Sequence, residues 1–562
     1  MSKKVFEVEN NIIDTFKNAI LTAQKNGELA EGEIPKFNLE IPNDRSHGDY
    51  AVNAAMVGAR VFKKAPRQIA EIIVNNLNKE NTYIKSVEIA GPGFINLTLD
   101  DRYYSDILVD VANLGADYGK SDFGKGKSVL VEFVSANPTG PMHIGNARGG
   151  ALGDCLASVL CAAGFDAKRE FYVNDAGNQI EKFKTSLETR YLQLFDDSIE
   201  MPEDAYLGED IINHAKAFKE IHGDKYVNAE SEERRQALCD FALPKNIQKL
   251  KDDLEKYRIT YDRWYHESEL HKSGAVKEIV DKLIKSGHTY EKDGALWFKS
   301  TDFDDEKDRV LIRDNGIPTY FVPDIAYHYD KLVTRNFDIA IDVLGADHHG
   351  YIPRMKAAMK ALGVDDSRLE MLIMQMVRLV KDGETYKLSK RSGKAITLET
   401  LLDEVPIDAA RLFFNLREPN SHLEFDLDLA ISESSQNPVY YVQYAHARIC
   451  SILRNLKAQG IEPVSLSAEQ LDCLTAPEER ELIRHIASYT GEIINSAKEY
   501  NPAIITRYAI TLATLFHKFY NACPVKSAEE DLRNARLELC VATKTVIKNV
   551  LDLLKITAPD QM

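Results

Sequence analysis

The sequence has few of the features that would place it outside a reducing cytoplasm. Its 562 residues contain only seven cysteines, widely scattered and without a Cys-X-X-Cys pair, which argues against a disulfide framework or a structural zinc site. No apolar run approaches the ~18 residues that a membrane-spanning helix needs. The first residues carry acids where a signal peptide has an uninterrupted apolar segment. We therefore expect a cytoplasmic protein that does not associate with membranes.

The chain also lacks the excess of basic residues that is typical of nucleic-acid-binding proteins. Its formal net charge is −17, but the acidic excess is unevenly distributed. Residues 1–110 hold 13 Lys and Arg against 16 Asp and Glu, and residues 437–562 hold 14 of each. Most of the acidity therefore lies between these two segments, and local basic patches on the flanks remain able to contact phosphate.

Composition and spacing divide the chain into three predicted domains. Residues 1–110 combine an amphipathic start with strand-like segments and predict a small N-terminal α/β domain. Residues 111–435 alternate strands with helices, so we expect a Rossmann-type, doubly wound parallel sheet with a largely helical insertion around 180–300. Residues 436–562 have helical spacing throughout and predict an all-α bundle.

Strands and turns are predicted at particular segments. In the first domain, Gly91, Pro92 and Gly93 mark a turn between two strand-like segments. In the second, a helix is expected from about 143 to 164, directly after a buried strand. Strand character is found in five hydrophobic segments of this domain: "VLVEFV" (129–134), "KREFYV" (168–173), "ALWFKS" (295–300), "YFVPDIAYHY" (320–329) and "FDIAIDVLGADHHG" (337–350).

A helix start with phosphate-binding character follows the first of these strands, in "SANPTGPMHIGNARGGALGD" (135–154). The first turn of a helix presents unpaired N–H groups and a positive dipole end, which together favour anions. Gly145 allows a close approach, while His143 and Asn146 can donate hydrogen bonds. A capped helix start with a surface histidine explains the same residues without any ligand.

A second segment, "YKLSKRSGKAITLETLL" (386–402), is a basic loop before another predicted helix. Four cations surround a serine and a glycine in it: Lys387, Lys390, Arg391 and Lys394 around Ser389 and Gly393. This composition suits a flexible clamp on a polyphosphate. A merely solvated loop is the competing interpretation.

Together the two segments resemble the paired signatures of class I aminoacyl-tRNA synthetases, with "HIGN" at the place of HIGH and "KLSKR" at the place of KMSKS. Seven segments resemble the arginyl-tRNA synthetase family in particular: "HGDYAVNAAM", "GPGFINLTL", "VEFVSANPTGPMHIGNARGGALGD", "REFYVNDAGNQIEKF", "LGADHHGYIPRMKAAMKALG", "NPVYYVQYAHARI" and "LLKITAPDQM". The likeness covers nearly the whole chain and is weakest in 180–260.

The resemblance implies an arginine–tRNA ligase. The expected reaction activates L-arginine with ATP, giving arginyl-adenylate and pyrophosphate, and then transfers the arginyl group to the 3′ end of tRNA(Arg). The implied architecture is a Rossmann catalytic core, an N-terminal domain that contacts the tRNA elbow, and a C-terminal bundle that reads the anticodon. The resemblance further implies a monomer, with Mg²⁺ as the counter-ion of ATP and with no zinc.

The resemblance also assigns roles to single residues. The expected catalytic residues are His143, Asn146, Lys387 and Lys390. The expected ATP-binding residues are Pro138, Gly140, His143, Gly145, Asn146, Gly345, Asp347, His348, Lys387, Ser389 and Lys390. The expected arginine-binding residues are Glu132, Ser135, Asn137, Tyr320 and Asp324. Asn146 replaces the second histidine of HIGH, and Leu388 and Arg391 depart from KMSKS, but His143 and Lys390 are retained.

Glu132 is the most informative of these residues, because a carboxylate inside a buried strand needs a partner. An arginine side chain is a planar cation with a fixed fork of donors, which suits carboxylates. A structural salt bridge within the sheet is the alternative for Glu132, and a helix N-cap is the alternative for Asp324. Asp347, His348 and His349 could be taken for a metal site, but no further side chain at suitable spacing joins this cluster.

The last domain offers aromatic residues for splayed RNA bases, which stack on such side chains. The expected anticodon-binding residues are Tyr440, Tyr444 and Arg448, and the two tyrosines share one helical face at i, i+4. Packing in an ordinary hydrophobic core is an alternative for these tyrosines. An enzyme that adenylates another small molecule, or an inactive tRNA-binding protein, are the alternative functions.

Overall fold

In the computed structural model, which describes residues 3–42, 44–386 and 396–562, the first region is an antiparallel sheet with four helices. Its strands are β1 (Leu39–Glu40), β2 (Tyr50–Val52), β3 (Ile84–Ala90) and β4 (Phe94–Leu99). Its helices are α1 (Lys4–Lys25), α2 (Ala54–Phe62), α3 (Pro66–Asn75) and α4 (Asp101–Leu114). The sheet order is β1-β2-β4-β3. β3 pairs with β4 from Ala90 to Phe94 onwards, which confirms the predicted turn at Gly91–Gly93.

The middle region contains the remaining strands and eleven of the described helices. The strands are β5 (Ser128–Glu132), β6 (Asp166–Val173), β7 (Arg263–His266), β8 (Thr289–Lys292), β9 (Ala295–Phe298), β10 (Arg309–Ile312), β11 (Ile339–Gly345), β12 (Leu369–Met374), β13 (Val377–Lys381), β14 (Glu384–Thr385) and β15 (Leu423–Asp426). The helices are α5 (Ile144–Ala162), α6 (Gly177–Gln193), α7 (Glu209–His222), α8 (Ser231–Lys256), α9 (Glu267–Ser273), α10 (Ala275–Lys285), α11 (Phe321–Tyr329), α12 (Tyr351–Ala361), α13 (Leu398–Glu404), α14 (Ile407–Phe414) and α15 (Leu427–Ile431).

A parallel sheet of order β12-β11-β5-β6-β7 forms the centre of this region. Helix α5 connects β5 to β6 as a crossover, and its Gly153 is needed because a Cβ there would lie 2.2 Å from the Phe133 ring. Covering helices bury β5 on both faces, which explains its continuous apolar sequence. The predicted doubly wound parallel sheet is confirmed.

One sequence expectation fails in this region. Phe321–Tyr329 form the helix α11, with Tyr320 as its N-cap, and not a strand. Their β-branched and aromatic residues favour a strand locally, but Pro323 sits in the first helical turn, where its missing N–H breaks no helical bond. The segment 180–300 is largely helical, from α6 to α10, but β7 within it joins the edge of the parallel sheet. Strands β8, β9 and β10 then form a separate antiparallel sheet.

The last region is a bundle of helices. They are α16 (Pro438–Lys457), α17 (Ala468–Leu471), α18 (Pro477–Lys498), α19 (Ala503–Ala522) and α20 (Glu530–Leu553). Apolar residues of the bundle, the central sheet and the first region belong to one continuous buried core. No helix in the described part of the chain is both long enough and apolar enough to cross a membrane.

A buried ion network links the central region to the bundle. Asp154 on α5 accepts from Arg169 Nε at 2.7 Å and from Arg411 Nη2 at 2.5 Å. Arg411 is fully buried and also donates to the carbonyl oxygens of Tyr257 and Leu554. The ends of α8 and α20 are therefore fixed against α5 by a single guanidinium.

We predict that Arg411→Met destabilises the protein by roughly 3–5 kcal/mol, because buried Asp154 keeps only Arg169 of its two guanidinium partners and two buried carbonyl oxygens lose their donor. The midpoint of urea unfolding at pH 7 measures this effect. Arg258→Met is the control, because the Arg258 side chain is 38% exposed where it pairs with Asp408, and such pairs contribute about 0–1 kcal/mol. Equal shifts for the two variants would contradict the prediction.

Candidate active site

The carboxyl ends of four parallel strands meet at one edge of the central sheet. β5 ends at Glu132, β6 at Val173, β7 at His266 and β11 at Gly345. Ligands of doubly wound folds bind in the crevice outside such an edge. Two of the predicted site residues, Glu132 and Gly345, lie directly on it.

The carboxylate of Glu132 has two partners. Its Oε1 accepts from Ser135 Oγ at 2.8 Å, and its Oε2 pairs with Lys331 Nζ at 2.5 Å. Lys331 is fully buried and also pairs with Asp342 on β11 at 2.7 Å. The structural salt bridge that was the alternative interpretation of Glu132 therefore exists. Any substrate cation bound by Glu132 would share its carboxylate with Lys331.

Asp342 is the second carboxylate on this lysine. It also contacts His328 Nε2 at 2.6 Å. Burial alone would raise the pKa of Asp342, but Lys331 and His328 hold it well below its usual range. Lys331 therefore faces both carboxylates, and His328 lies between Asp342 and the Asp324 carbonyl, which is 2.7 Å from its Nδ1.

Two further carboxylates lie near Glu132. Asp324 is in the first turn of α11, and the buried Glu267 begins α9 immediately after β7. Burial raises the pKa of Asp324, and the Glu132 charge adds to this rise, while nearby His328 and Tyr351 oppose it. Burial and the Asp324 charge raise the pKa of Glu267 to about 7.

Burial raises the pKa of the Tyr172 hydroxyl, and the charges of the nearby carboxylates Glu267, Asp324 and Glu132 add to this rise. The hydroxyl is buried but makes no well-formed hydrogen bond with any described residue. Asp324 and Glu267 have no lysine or arginine within 4.0 Å in the described ranges, although His271 Nε2 is 3.5 Å from Glu267. Carboxylates from three elements thus form an acidic pocket that favours a cationic ligand.

The predicted helix start is capped by its own residues. His143 is the N-cap of α5, and its Nδ1 accepts from the Gly145 N–H at 3.1 Å. Asn146 Oδ1 in turn accepts from the His143 N–H at 3.0 Å. The capped helix start is therefore real, but it does not exclude a ligand. Because Nδ1 accepts, this network assigns the proton of the neutral ring to Nε2, which remains a donor.

The segment after β11 lies close to this turn. Burial lowers the pKa of His143, and the Asp347 charge opposes the effect, so the ring is neutral near pH 7. Asp347 is exposed and pairs with His348 Nδ1 at 3.1 Å. The described ranges contain no third ligand for a metal at this place.

The other predicted substrate residues differ in their environments. Pro138 is buried and half-buried Gly140 lies in the same loop, whereas Asn137 is exposed. Tyr320 is 47% exposed, and its hydroxyl accepts from the Asn178 N–H at 2.9 Å. Tyr320 is the N-cap residue of α11, so the N-cap interpretation of Asp324 is wrong.

The predicted clamp residues Lys387, Ser389 and Lys390 lie outside the described residues. The chain on its C-terminal side is described, and it pairs with the helix start. Ile144 N–H donates to the Ile396 carbonyl at 3.1 Å, and Leu398 N–H donates to the Met142 carbonyl at 2.8 Å. The sequence that follows the predicted clamp is thereby held next to His143.

Comparisons with known proteins agree with this geometry. The family model described as "tRNA synthetases class I (R), catalytic domain" matches residues 110–450. An "Arginyl tRNA synthetase N terminal domain" model matches 10–99, and a "DALR anticodon binding domain" model matches 442–562. The chain belongs to the class I arginyl-tRNA synthetases.

Individual arginyl-tRNA synthetases match over their full length. Arginine–tRNA ligases of Caldanaerobacter subterraneus and Acetivibrio thermocellus are 54% and 52% identical, and each alignment covers 100% of both chains. The arginyl-tRNA synthetase structure of Thermus thermophilus has a TM-score of 0.74 at 23% identity and covers 97% of this chain and 99% of its own. At that identity the structural likeness supports the fold alone.

The predicted anticodon-binding residues of this arginyl-tRNA synthetase lie on α16. Tyr440 and Tyr444 stack with ring centroids 6.4 Å apart and planes at 4°, and Tyr444 is 41% exposed. Arg448 lies over the Tyr520 ring at 4.5 Å. Tyr444 is therefore accessible to a base, and core packing does not account for it.

The opposite side of α16 holds the C-terminal segment. Buried His446 bonds through Nδ1 to the Pro559 carbonyl at 2.9 Å, and the Cys450 thiol donates to Asp560 at 3.3 Å. Of the described residues, His446, Cys450 and Asp560 are the only three potential metal ligands with atoms within 4.8 Å of one another. They bond to each other and to the C-terminal segment.

Several residues of the acidic pocket were missed by sequence reasoning: Glu267, His328, Lys331 and Asp342. Glu267 was overlooked because β7 lies inside the segment assigned to a helical insertion. Lys331 and Asp342 carry no local signal, since their pairing depends on the distance between α11 and β11 in the folded chain.

We predict that Lys331→Met destabilises the protein by roughly 3–5 kcal/mol at pH 7, because two carboxylates lose their buried cation. The loss should shrink as the pH falls below about 4, the ordinary pKa of an aspartate. The folded-state pKa of Asp342 is depressed in the parent, so the stability it contributes is present at neutral pH and lost as pH falls. Thermal unfolding at several pH values measures both effects.

Lys360→Met is the matched control for Lys331→Met, because Lys360 is 37% exposed and lies 3.6 Å from Asp366. It should cost no more than about 1 kcal/mol at any pH. A loss for Lys331→Met that is small, or that does not depend on pH, would show that the pair contributes little.

Proposed function

We propose that the crevice at the carboxyl edge of the central sheet joins arginine to tRNA(Arg) in two steps. The arginine carboxylate attacks the α-phosphorus of ATP, which gives arginyl-adenylate and pyrophosphate. The 3′-terminal ribose of the tRNA then takes the arginyl group, and AMP leaves. The observation that carries this proposal is the acidic pocket formed by Glu132, Asp324 and Glu267 beside the start of α5.

The α5 start supplies the proposed nucleotide site. His143 is proposed to bind ATP together with seven other residues that the structure describes: Pro138, Gly140, Gly145, Asn146, Gly345, Asp347 and His348. His143 donates from Nε2 to phosphate oxygens while its Nδ1 keeps the helix cap. Lys387, Ser389 and Lys390, which the family resemblance assigns to the clamp, are proposed to supply further positive charge to the phosphates. Catalysis then consists mainly of positioning and of stabilising charge on the phosphoryl oxygens.

The acidic pocket supplies the proposed amino-acid site. The guanidinium of arginine pairs with carboxylates of the pocket, for which its fork of donors is suited. Ser135, Asn137 and Tyr320 complete the site together with Glu132 and Asp324. Glu267 joins them on structural grounds, because it shares the pocket and lacks a lysine or arginine partner. A neutral amino acid of similar length would supply no cation to Asp324 and Glu267, which have no lysine or arginine partner in the described ranges.

Mg²⁺ enters this proposal only as the companion of ATP. The exposed Asp347 carboxylate beside the proposed phosphate site is an oxygen donor of the kind that Mg²⁺ prefers. When bound, the ion neutralises part of the phosphate charge. The enzyme is proposed to be a cytoplasmic monomer, without zinc, whose N-terminal domain contacts the tRNA elbow and whose Tyr440, Tyr444 and Arg448 bind the anticodon.

ATP–pyrophosphate exchange tests the function directly. The assay is run with each of the twenty amino acids in turn, with and without tRNA(Arg). Exchange that depends on arginine, followed by charging of tRNA(Arg), is the expected result. Exchange with another amino acid would identify an enzyme of different specificity, and tRNA binding without exchange would identify an inactive relative.

We predict that Glu132→Gln raises the KM for arginine strongly and leaves the KM for ATP nearly unchanged. Loss of the charge leaves the substrate cation and Lys331 with one fewer partner, which should cost several kcal/mol. Steady-state exchange with each substrate varied separately measures the two constants. If both constants move together, or neither moves, Glu132 serves the sheet and not the substrate.

A second prediction concerns proton release. The pKa of Glu267 is raised to about 7 in the free protein, and a guanidinium beside it favours the charged form. Arginine binding should therefore release protons near pH 7 and strengthen as pH rises through that range. Calorimetry in buffers of different ionisation enthalpy counts the protons.

Glu267→Gln should abolish the proton release, whereas Glu269→Gln should not, because Glu269 is an exposed neighbour that pairs with Arg263. His271, Asp175, Asp324 and Tyr172 surround Glu267 and are unchanged in both variants. A binding enthalpy of the parent protein that is independent of the buffer would exclude this role.

The third prediction concerns the clamp. Lys390→Ala should lower adenylate formation by orders of magnitude and weaken ATP binding only a little, because the lysine acts mainly on the charge of the transition state. Lys387 can substitute in part, so the double variant with Lys387→Ala is the cleaner test. Single-turnover adenylate formation with saturating tRNA measures the effect. A double variant within a few-fold of the parent would show an ordinary solvated loop.

A further inference from the structure

The loop between β5 and α5 has little backbone hydrogen bonding of its own, apart from a bond from the Ser135 N–H to the Phe133 carbonyl at 3.0 Å. Val134 and Ser135 have φ values of +69° and +38°, which L residues adopt rarely, and β-branched valine especially so. Pro138 and Pro141 have no N–H to donate. The loop nevertheless carries the proposed substrate residues Asn137, Pro138 and Gly140, so something outside it must hold it in place.

The first half of the loop is held by residues of the central sheet region. Tyr172 N–H donates to Ser135 Oγ at 3.1 Å, and the Tyr261 hydroxyl donates to the Phe133 carbonyl at 3.1 Å. For residues 136–141, the structure of the described ranges shows one hydrogen bond. It runs from Asn246 Nδ2 to the Pro138 carbonyl at 2.9 Å, and it is buried.

Asn246 is itself oriented by a histidine of the neighbouring helix. It lies on α8, and its Oδ1 is 2.7 Å from His214 Nε2 on α7. Since an amide oxygen only accepts, His214 must donate from Nε2. This bond fixes which end of the Asn246 amide faces Pro138, and with it the direction of the bond to the loop.

We infer that Asn246, oriented by His214, is a positioning residue for adenylate formation, through which the helical insertion holds the substrate loop in its working conformation. The inference rests on the proposed function of that loop. Neither residue is among those proposed to bind a substrate. Small displacements of a substrate-bearing loop lower the rate much more than they lower binding. Because the loop is proposed to contact both substrates, its displacement should change the KM values for ATP and for arginine together.

Asn246→Asp tests this inference, because the side chain keeps its shape and loses its donor. The full-length protein is assayed by arginine-dependent ATP–pyrophosphate exchange at a temperature well below its unfolding midpoint. We expect kcat to fall by about tenfold or more, with the KM values for ATP and arginine changing in parallel. That pattern differs from a change in the arginine KM alone, which marks a residue that contacts arginine.

Gln248→Glu is the matched control, because it makes the same amide-to-acid change on an exposed side chain of α8, whose amide donates to Asp252 at 2.8 Å. It should leave kcat within twofold of the parent. If Asn246→Asp does not fold, His214→Ala and His214→Gln replace it, since both leave the Asn246 amide in place. His214→Ala should lower kcat, and His214→Gln, which keeps a donor near the same position, should restore most of it.

The parent protein separates this inference from the proposed function. If the parent shows no arginine-dependent exchange, the function fails and the ratio of variant to parent has no meaning. If the parent is active and folded Asn246→Asp stays within twofold of it, or if the two His214 variants behave alike, the inference is overturned. A lower unfolding temperature with unchanged kcat would assign Asn246 to stability alone.

Discussion

The structure depends on a carboxylate that cannot be buried alone, that of Asp154. It lies on α5, the helix that starts at the "HIGN" turn (143–146), called the signature turn below. The two guanidinium partners of Asp154 come from β6 and α14, and the second of these, Arg411, extends to the carbonyl oxygens of Tyr257 and Leu554. An unpaired buried charge is far more costly than an ordered side chain. The C-terminal ends of α8 in the insertion and of α20 in the bundle are therefore held against α5, the helix that begins after His143.

The same constraint shapes the crevice itself. Lys331 is surrounded by protein and shared between Glu132 and Asp342, so it offsets one of these two negative charges. Asp324 and Glu267 add further carboxylate without a lysine or arginine of their own in the described ranges. A site with this charge balance is best satisfied by a substrate that brings a cation.

The signature turn combines two tasks that sequence alone presents as alternatives. His143 and Asn146 cap α5 through Nδ1 and Oδ1, which leaves the imidazole Nε2 available to a phosphate. Asn146, which departs from the family's second histidine, thus has a definite role in holding His143. The turn is also paired with Ile396 and Leu398, which come directly after the predicted clamp. Two sequence-distant segments are in this way brought to one side of the crevice.

Local sequence patterns were sufficient to predict the family, the parallel sheet, the helical bundle and the position of Glu132. A polar residue in a buried strand and a helix start that contains glycine are visible over a few residues. It failed at 320–329, where strand-forming residues are held in a helix by packing, and at β7, whose place in the sheet depends on pairing with β6. Lys331, Glu267 and Asn246 acquire their partners only when α11, β7 and the insertion meet the sheet edge. Sequence alone determined which charged and hydrogen-bonding groups the chain contains. The tertiary structure decided which of these groups face each other, because electrostatic and hydrogen-bonding energies depend on distance in space and not along the chain.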